Sequence, residues 1–149
     1  MNPPLEADVQ SQMVQLAHLL GYYIEVHGSR WVPGAKLGGF NTEGAADLAL
    51  HHEALDRRGN WVHVEMKRSK TAALSVRTGK TRRLIAQREN FLKGRTYIAW
   101  DLPTFLGALA DGAGSGPLRE QIVAFATRNG IALQLLNFQW EVETLKQAP

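Results

Sequence analysis

Two short alternating runs, Asp47-Leu-Ala-Leu-His51 and Trp61-Val-His-Val-Glu-Met-Lys67, constrain this chain more than anything else in it. Side chains along a strand alternate between its two faces. Leu48 and Leu50 share one face of the first run, and Val62, Val64 and Met66 share one face of the second. If the runs pair as a hairpin through the turn-forming Asp56-Arg-Arg-Gly-Asn60, the aliphatic residues make one buried side. Asp47, Ala49 and His51, with Trp61, His63, Glu65 and Lys67, then occupy the other side. A turn centred near Asp56 sets Asp47 opposite Glu65, with Cβ atoms about 4.5–5.5 Å apart.

Two carboxylates that close repel each other. A divalent cation between them makes the arrangement favourable. Hard cations such as Mg²⁺ take oxygen ligands, and commonly combine one or two carboxylates with phosphates and water. Lys67 lies two residues beyond Glu65 on the same face. Its ammonium suits an anionic phosphate transition state, or the orienting of an attacking water. The bland alternative is a solvent-facing hairpin side with scattered charges.

The rest of the chain alternates helix and strand signals. Leu5, Val9, Met13, Leu16 and Leu20 recur at helical spacing and predict a helix over 3–20, stopped at Gly21. An extended piece, Tyr22 to Val26, follows, then a glycine-rich loop over 28–44. Beyond the hairpin comes a polar stretch. A helix is then expected from Lys80 to Lys93, with Leu84, Ile85, Phe91 and Leu92 as its apolar positions, and a strand from Thr96 to Trp100. Helices at Pro103–Ala110 and Leu118–Arg128, a flexible connection at 111–117 and a strand at Ile131–Leu136 complete the pattern, with the tail from Glu141 unassigned. This order predicts one mixed α/β domain over 1–149, with helices packed on a small central sheet.

Charge is distributed unevenly. Residues 67–95 hold ten Lys or Arg and one acid, Glu89, a net +9, whereas the remainder carries −6. Such asymmetry points to a polyanion partner, against the alternative of a solvated basic helix.

The ordered set Gly44-Ala-Ala-Asp47, Val64-Glu-Met-Lys-Arg68 and a following helix with Gln87 resembles the virus-type replication-repair nuclease (VRR-NUC) branch of the PD-(D/E)XK superfamily. The resemblance runs from about residue 6 to 100. It implies a restriction-endonuclease-like αβββαβ core, with residues 103–149 as a C-terminal extension of helix and strand. It also implies a Mg²⁺-dependent DNA phosphodiesterase, with Mn²⁺ able to substitute. By resemblance Asp47, Glu65, Lys67 and Gln87 are catalytic. The metal ligands would be Glu6, Asp47, Glu65 and the backbone carbonyl of Met66. Arg68, Lys70, Arg77, Lys80, Arg82, Arg83 and Arg88 would contact nucleic acid. Ala46 stands where proline is common, and the stretch after Lys67 lacks the short proline-containing turn of many members. Neither departure removes a reactive group.

Other signals narrow the classes. Thr78-Gly-Lys-Thr81 is no phosphate loop, because the required glycine five positions before Gly79 is Leu74. No nucleotide cofactor is expected. His51 and His52 point to opposite faces and suit structural or surface roles, and for Tyr22, Tyr23, Trp31 and Phe40 packing is the first expectation. The chain has no cysteine, which excludes thiolate chemistry and fits a reducing compartment. No apolar run reaches the roughly 20 residues that span a bilayer, and no secretory leader is read at the N-terminus, so a cytoplasmic, membrane-free protein is expected. Symmetric cutting of two strands favours a homodimer, with residues 118–140 as its expected interface. The competing function is a DNA-binding or assembly module that keeps this fold without turnover.

Overall fold

The computed structural model describes residues 6–27, 36–37, 46–55 and 61–147, with the backbone alone at 6–9 and 36–37. The first helix, α1, spans Glu6–Leu19. Met13, Val14 and Ala17 lie on its buried face, continued by Leu20 just past its end, while Leu19 is 83% exposed. Gly21 follows with φ +92 and would bring a Cβ to 3.0 Å from His52 Nε2. A glycine takes this left-handed conformation without steric cost and reverses the chain at once into β1.

Strands β1 (Tyr23–Val26), β2 (Lys36–Leu37), β3 (Leu48–His51) and β4 (Val62–Met66) come next. β2 lies inside the segment expected to be loop, and pairs in parallel with β1. The rest of 28–45, with Trp31 and Phe40, lies outside the described residues, as does the hairpin turn 56–60. β1 and β4 both run antiparallel to β3. Leu48 pairs with Val64 and Leu50 with Val62. The same alignment, carried one residue past the strand, sets Asp47 against Glu65, as the turn-centre argument requires.

Two helices follow where one was expected. α2 (Lys70–Ser75) occupies the supposed polar stretch, and Ser69 caps it by accepting the Ala72 N–H. A serine followed by Lys-Thr-Ala-Ala-Leu is a helix-start signal that was readable. α3 (Arg82–Leu92) is capped by Thr81, whose Oγ1 accepts the Leu84 N–H at 3.2 Å. Gln87 and Phe91 are its buried residues, with Leu84 half-buried. The expected apolar positions Ile85 and Leu92 lie outside that face and are exposed. β5 (Tyr97–Ala99) then pairs in parallel with β4, reached by the crossover through α2 and α3. The sheet order is β2-β1-β3-β4-β5.

α4 (Leu102–Ala113) starts at a capping box, Asp101 to Thr104 and back, and runs three residues further than periodicity indicated. Gly114 to Gly116 then turn the chain into α5 (Pro117–Arg128). A separate two-stranded hairpin, β6 (Gln134–Leu136) with β7 (Val142–Thr144), closes the chain, so the unassigned tail contains a strand.

The core sits on one side of the sheet. Ile24, Val26, Leu48, Leu50, Val62, Val64, Met66 and Ala99 cluster with Met13, Val14 and Ala17 of α1 and with Phe105, Leu106 and Leu109 of α4. Leu118, Ile122 and Ala126 of α5, and Leu133, belong to the same cluster. Residues 103–136 are therefore integral to the core, not an appendage to it. The apolarity that suggested an interface at 118–140 is used within the chain. A smaller cluster on the opposite side joins Ala73, Val76, Phe91, Ile98, Trp100 and Leu136. The fold is thus α/β, a small mixed sheet flanked by helices.

Candidate active site

The face turned away from the main core carries the polar residues. The ladder places Glu25, Ala49 and His63 in one row across β1, β3 and β4. The next row toward the open ends of β3 and β4 holds His27, Asp47 and Glu65. The backbone N–H of His27 donates to the Asp47 carbonyl at 2.8 Å, which extends the β1–β3 ladder to the site. His27 Nδ1 lies 3.1 Å from the Ala46 carbonyl, and its Nε2 lies 3.8 Å from Glu25.

Asp47 reaches across to β4, where its Oδ2 accepts the Met66 N–H at 2.9 Å. In extended backbone the N–H and carbonyl of one residue face the same neighbour. The Met66 carbonyl is accordingly turned to the Asp47 side, whereas its side chain is fully buried in the core. Lys67 continues the other ladder, its N–H donating to the Ala99 carbonyl at 2.8 Å. Its Nζ donates to Gln87 Oε1 at 2.9 Å. Gln87 is 3% exposed because it takes a position on the buried stripe of α3, between Leu84 and Phe91. This is how a helix twenty residues downstream fixes the lysine.

Glu65 is 1% exposed, which removes the solvent-facing reading of this hairpin side. With both acids ionised, neither of its carboxylate oxygens meets a hydrogen-bond donor, and the neighbour placed to share a proton with it is Asp47. Burial first, and the adjacent Asp47 carboxylate second, hold the Glu65 carboxyl well above the usual carboxylate range, opposed by the charges of Lys67 and Arg83. Two ionised carboxylates have no proton to share, so one of the pair keeps a proton or a cation intervenes. An isolated buried carboxylate costs several kcal/mol. Orphaned oxygens beside a second carboxylate fit a hard divalent cation, with Asp47, Glu65 and the Met66 carbonyl as the protein donors. Among the described residues no group of three or more acidic, histidine or cysteine side chains is gathered. The Glu6 side chain lies outside the described residues.

The basic segment divides by role. Arg68, Lys70, Arg77, Lys80, Arg82 and Arg83 are exposed. Arg88 is not equivalent to them. Its Nη1 donates to the carbonyls of Val76, Arg77 and Gly79 at 3.3, 3.2 and 2.9 Å, tying α3 to the loop before it. The Thr78–Thr81 segment thus supplies a carbonyl to Arg88 and a cap to α3.

Glu25 and His27 were missed as neighbours of the site. Continuing the alternation of Tyr23 and Glu25 by one more step would have placed them on a common face. What was not legible was that β1 pairs with β3. His63 stands two residues from Glu65 on the same face. Burial, and then His27, lower its imidazole pKa, against a smaller opposing pull from Glu25. At the far end of this face Trp61 packs against His51 and Tyr23, with ring centroids 5.2 and 5.7 Å apart. His52 is structural: it holds the Leu20 carbonyl and the Ala54 N–H.

No family model, curated protein or solved structure matches the chain.

Proposed function

We propose that this chain is a metal-dependent nuclease that hydrolyses DNA phosphodiester bonds, of the PD-(D/E)XK kind and its VRR-NUC branch. The single observation that carries the reading is Glu65: a carboxylate 1% exposed, without a hydrogen-bond partner, beside Asp47 and two residues from a buried lysine. The order helix, three strands, helix, strand in α1, β1, β3, β4, α3 and β5 supports the αβββαβ core that the reading requires. The exposed cations around α2 and α3 support a phosphate-rich substrate.

Asp47, Glu65 and the Met66 carbonyl would hold Mg²⁺ or Mn²⁺, which when bound supplies Lewis-acid polarisation of a phosphoryl oxygen and a more acidic water. Asp47 is braced by the Met66 N–H, so its second oxygen keeps a defined direction. Lys67 is held by Gln87 and is buried. Its ammonium protons orient the attacking water or lie against the charge that grows on the phosphate. Gln87 presents Oε1 to the lysine and leaves its amide N–H₂ free to donate toward water or substrate.

The test is Mg²⁺- or Mn²⁺-dependent cleavage of duplex, flap, nicked and four-way-junction DNA. Glu65→Ala and Lys67→Ala should each lose about 10²–10⁴-fold in kcat. Gln87→Ala should fall less, about tenfold, because the lysine remains but is no longer held. Absence of any cleavage by the wild-type chain, or full activity in both of the first two variants, would sink the reading in favour of a DNA-binding module without turnover.

A further inference from the structure

Residues 68–83 carry six exposed cations, and one of them is placed differently from the rest. Arg83 stands four residues before Gln87 on α3, and residues four apart share a helix face. Gln87 is the residue through which α3 meets Lys67. Arg83 therefore lies along the side of α3 that carries Gln87, one turn nearer the helix start. Its charge is felt at Glu65, and among the basic side chains of the segment only Lys67 shares that influence. Among the described residues no carboxylate or carbonyl holds its guanidinium. Arg88, one residue past Gln87, has its Nη1 engaged by three loop carbonyls. That same brace positions the loop from which the first turn of α3, and with it Arg83, emerges.

We propose that Arg83 is a catalytic arginine whose guanidinium binds the two non-bridging oxygens of the scissile phosphate from the side opposite Lys67. The proposal rests on the nuclease reading. An arginine presents a planar fork of donors that matches two oxygens at once, whereas the lysine acts as a point charge. In the reaction a bond forms between the water oxygen and phosphorus and the bond to the departing sugar oxygen breaks. The water's proton passes to solvent and the departing oxygen takes one up, so no further reactant is needed. Negative charge spreads over the non-bridging oxygens in the transition state, and that is where the fork stabilises it. Arg88 is a positioning residue, acting through the loop.

The experiment uses the full chain with Mn²⁺ and a labelled DNA substrate that the wild type cleaves. It measures kcat and KM, together with equilibrium binding of the same DNA by fluorescence anisotropy in the absence of divalent metal. Arg83→Ala should lower kcat by about 10²–10³-fold while weakening metal-free DNA binding by less than about tenfold. Arg83→Lys, which keeps the charge and loses the fork, should recover only a minor part of kcat. Lys93→Ala, at the other end of α3, is the control for loss of one surface cation and should keep the wild-type kcat. Because Arg83 is exposed, the melting temperatures of its variants should match the wild type, which separates chemistry from folding. The proposal is overturned if Arg83→Ala keeps kcat within about threefold of wild type, or if Arg83→Lys restores it fully. A wild-type chain that cleaves nothing brings down the nuclease reading itself, and this proposal with it; that outcome is read on the wild type alone.

Discussion

Glu65 concentrates the energetic cost of the site in one side chain. A carboxyl whose folded-state pKa is raised keeps its proton above the ordinary carboxylate range, near about 4.3, where the unfolded chain has already released its own. The folded state then binds more protons, so stability falls as pH rises through the window between the unfolded and the raised folded value. His63 contributes with the opposite sign: its depressed pKa means stability gained as pH rises toward the ordinary histidine range. Comparing Glu65→Gln with wild type cancels the histidine and isolates the carboxylate. Without metal at pH 8, the variant should be more stable by about 1–3 kcal/mol, since the wild-type carboxyl must either take up a proton on folding or stay charged without a partner, and the amide does neither. Thermal melts across pH check this. Mn²⁺ at a hundred times its dissociation constant should stabilise the wild type by about 2.7 kcal/mol and leave the variant unmoved. A variant that gains nothing, or that still responds fully to Mn²⁺, would mean that Glu65 is not the ligand.

At the level of elements, the site depends on how closely helices approach the sheet and one another. α4 passes β6 so tightly that a Cβ on Gly107 would lie 1.8 Å from the Gln134 carbonyl oxygen and 2.7 Å from its carbon. Both atoms are backbone, so nothing there yields by rotation. Gly107→Ala should cost about 3 kcal/mol, the upper end of overpacking penalties, read as a lower denaturation midpoint at constant slope. A loss within experimental error would show that α4 and β6 can part without disturbing the core. α3 illustrates the same dependence on the site side. Periodicity located the helix, but its inward stripe is Leu84, Gln87 and Phe91, not the more apolar Ile85 and Leu92. One glutamine on that stripe converts a packing surface into a lysine clamp.

Across the whole molecule, the two faces of the sheet have been assigned different tasks. One face carries the main core with α1, α4 and α5; the other carries the carboxylates, with the cations of α2 and α3 at its margin. Six exposed Arg and Lys side chains between residues 68 and 83 predict strongly salt-dependent DNA binding. A plot of log affinity against log salt should have a slope of about −4 to −5 if most of them meet phosphates. Arg88→Ala should leave that slope unchanged, because Arg88 already serves the loop carbonyls. Titrations of labelled duplex at several salt concentrations give the slope, and a value near zero would remove the polyanion from the reading. The side chains that suggested a dimer interface, Leu118, Ile122, Ala126 and Leu133, are buried within the chain, and Phe138, 56% exposed, is the large apolar residue left at the surface of that region.

The alternation of Leu48, Leu50, Val62, Val64 and Met66 by itself determined the hairpin and its buried face, because a one-residue slip would turn those side chains out of the core, and a turn centre near Asp56 set the register that opposes Asp47 to Glu65. The helices α1, α3 and α5 were legible for the same local reason. Tertiary structure alone decided that Glu65 is buried and unpartnered, that Gln87 holds Lys67 across twenty residues, and that His27 and Glu25 border the pair. It also decided that Arg88 braces a loop while Arg83 stands exposed, and that residues 103–136 complete the core. Each of these depends on which distant segment covers a given face. That choice is made by packing between elements far apart in the chain, and a local pattern carries no record of it.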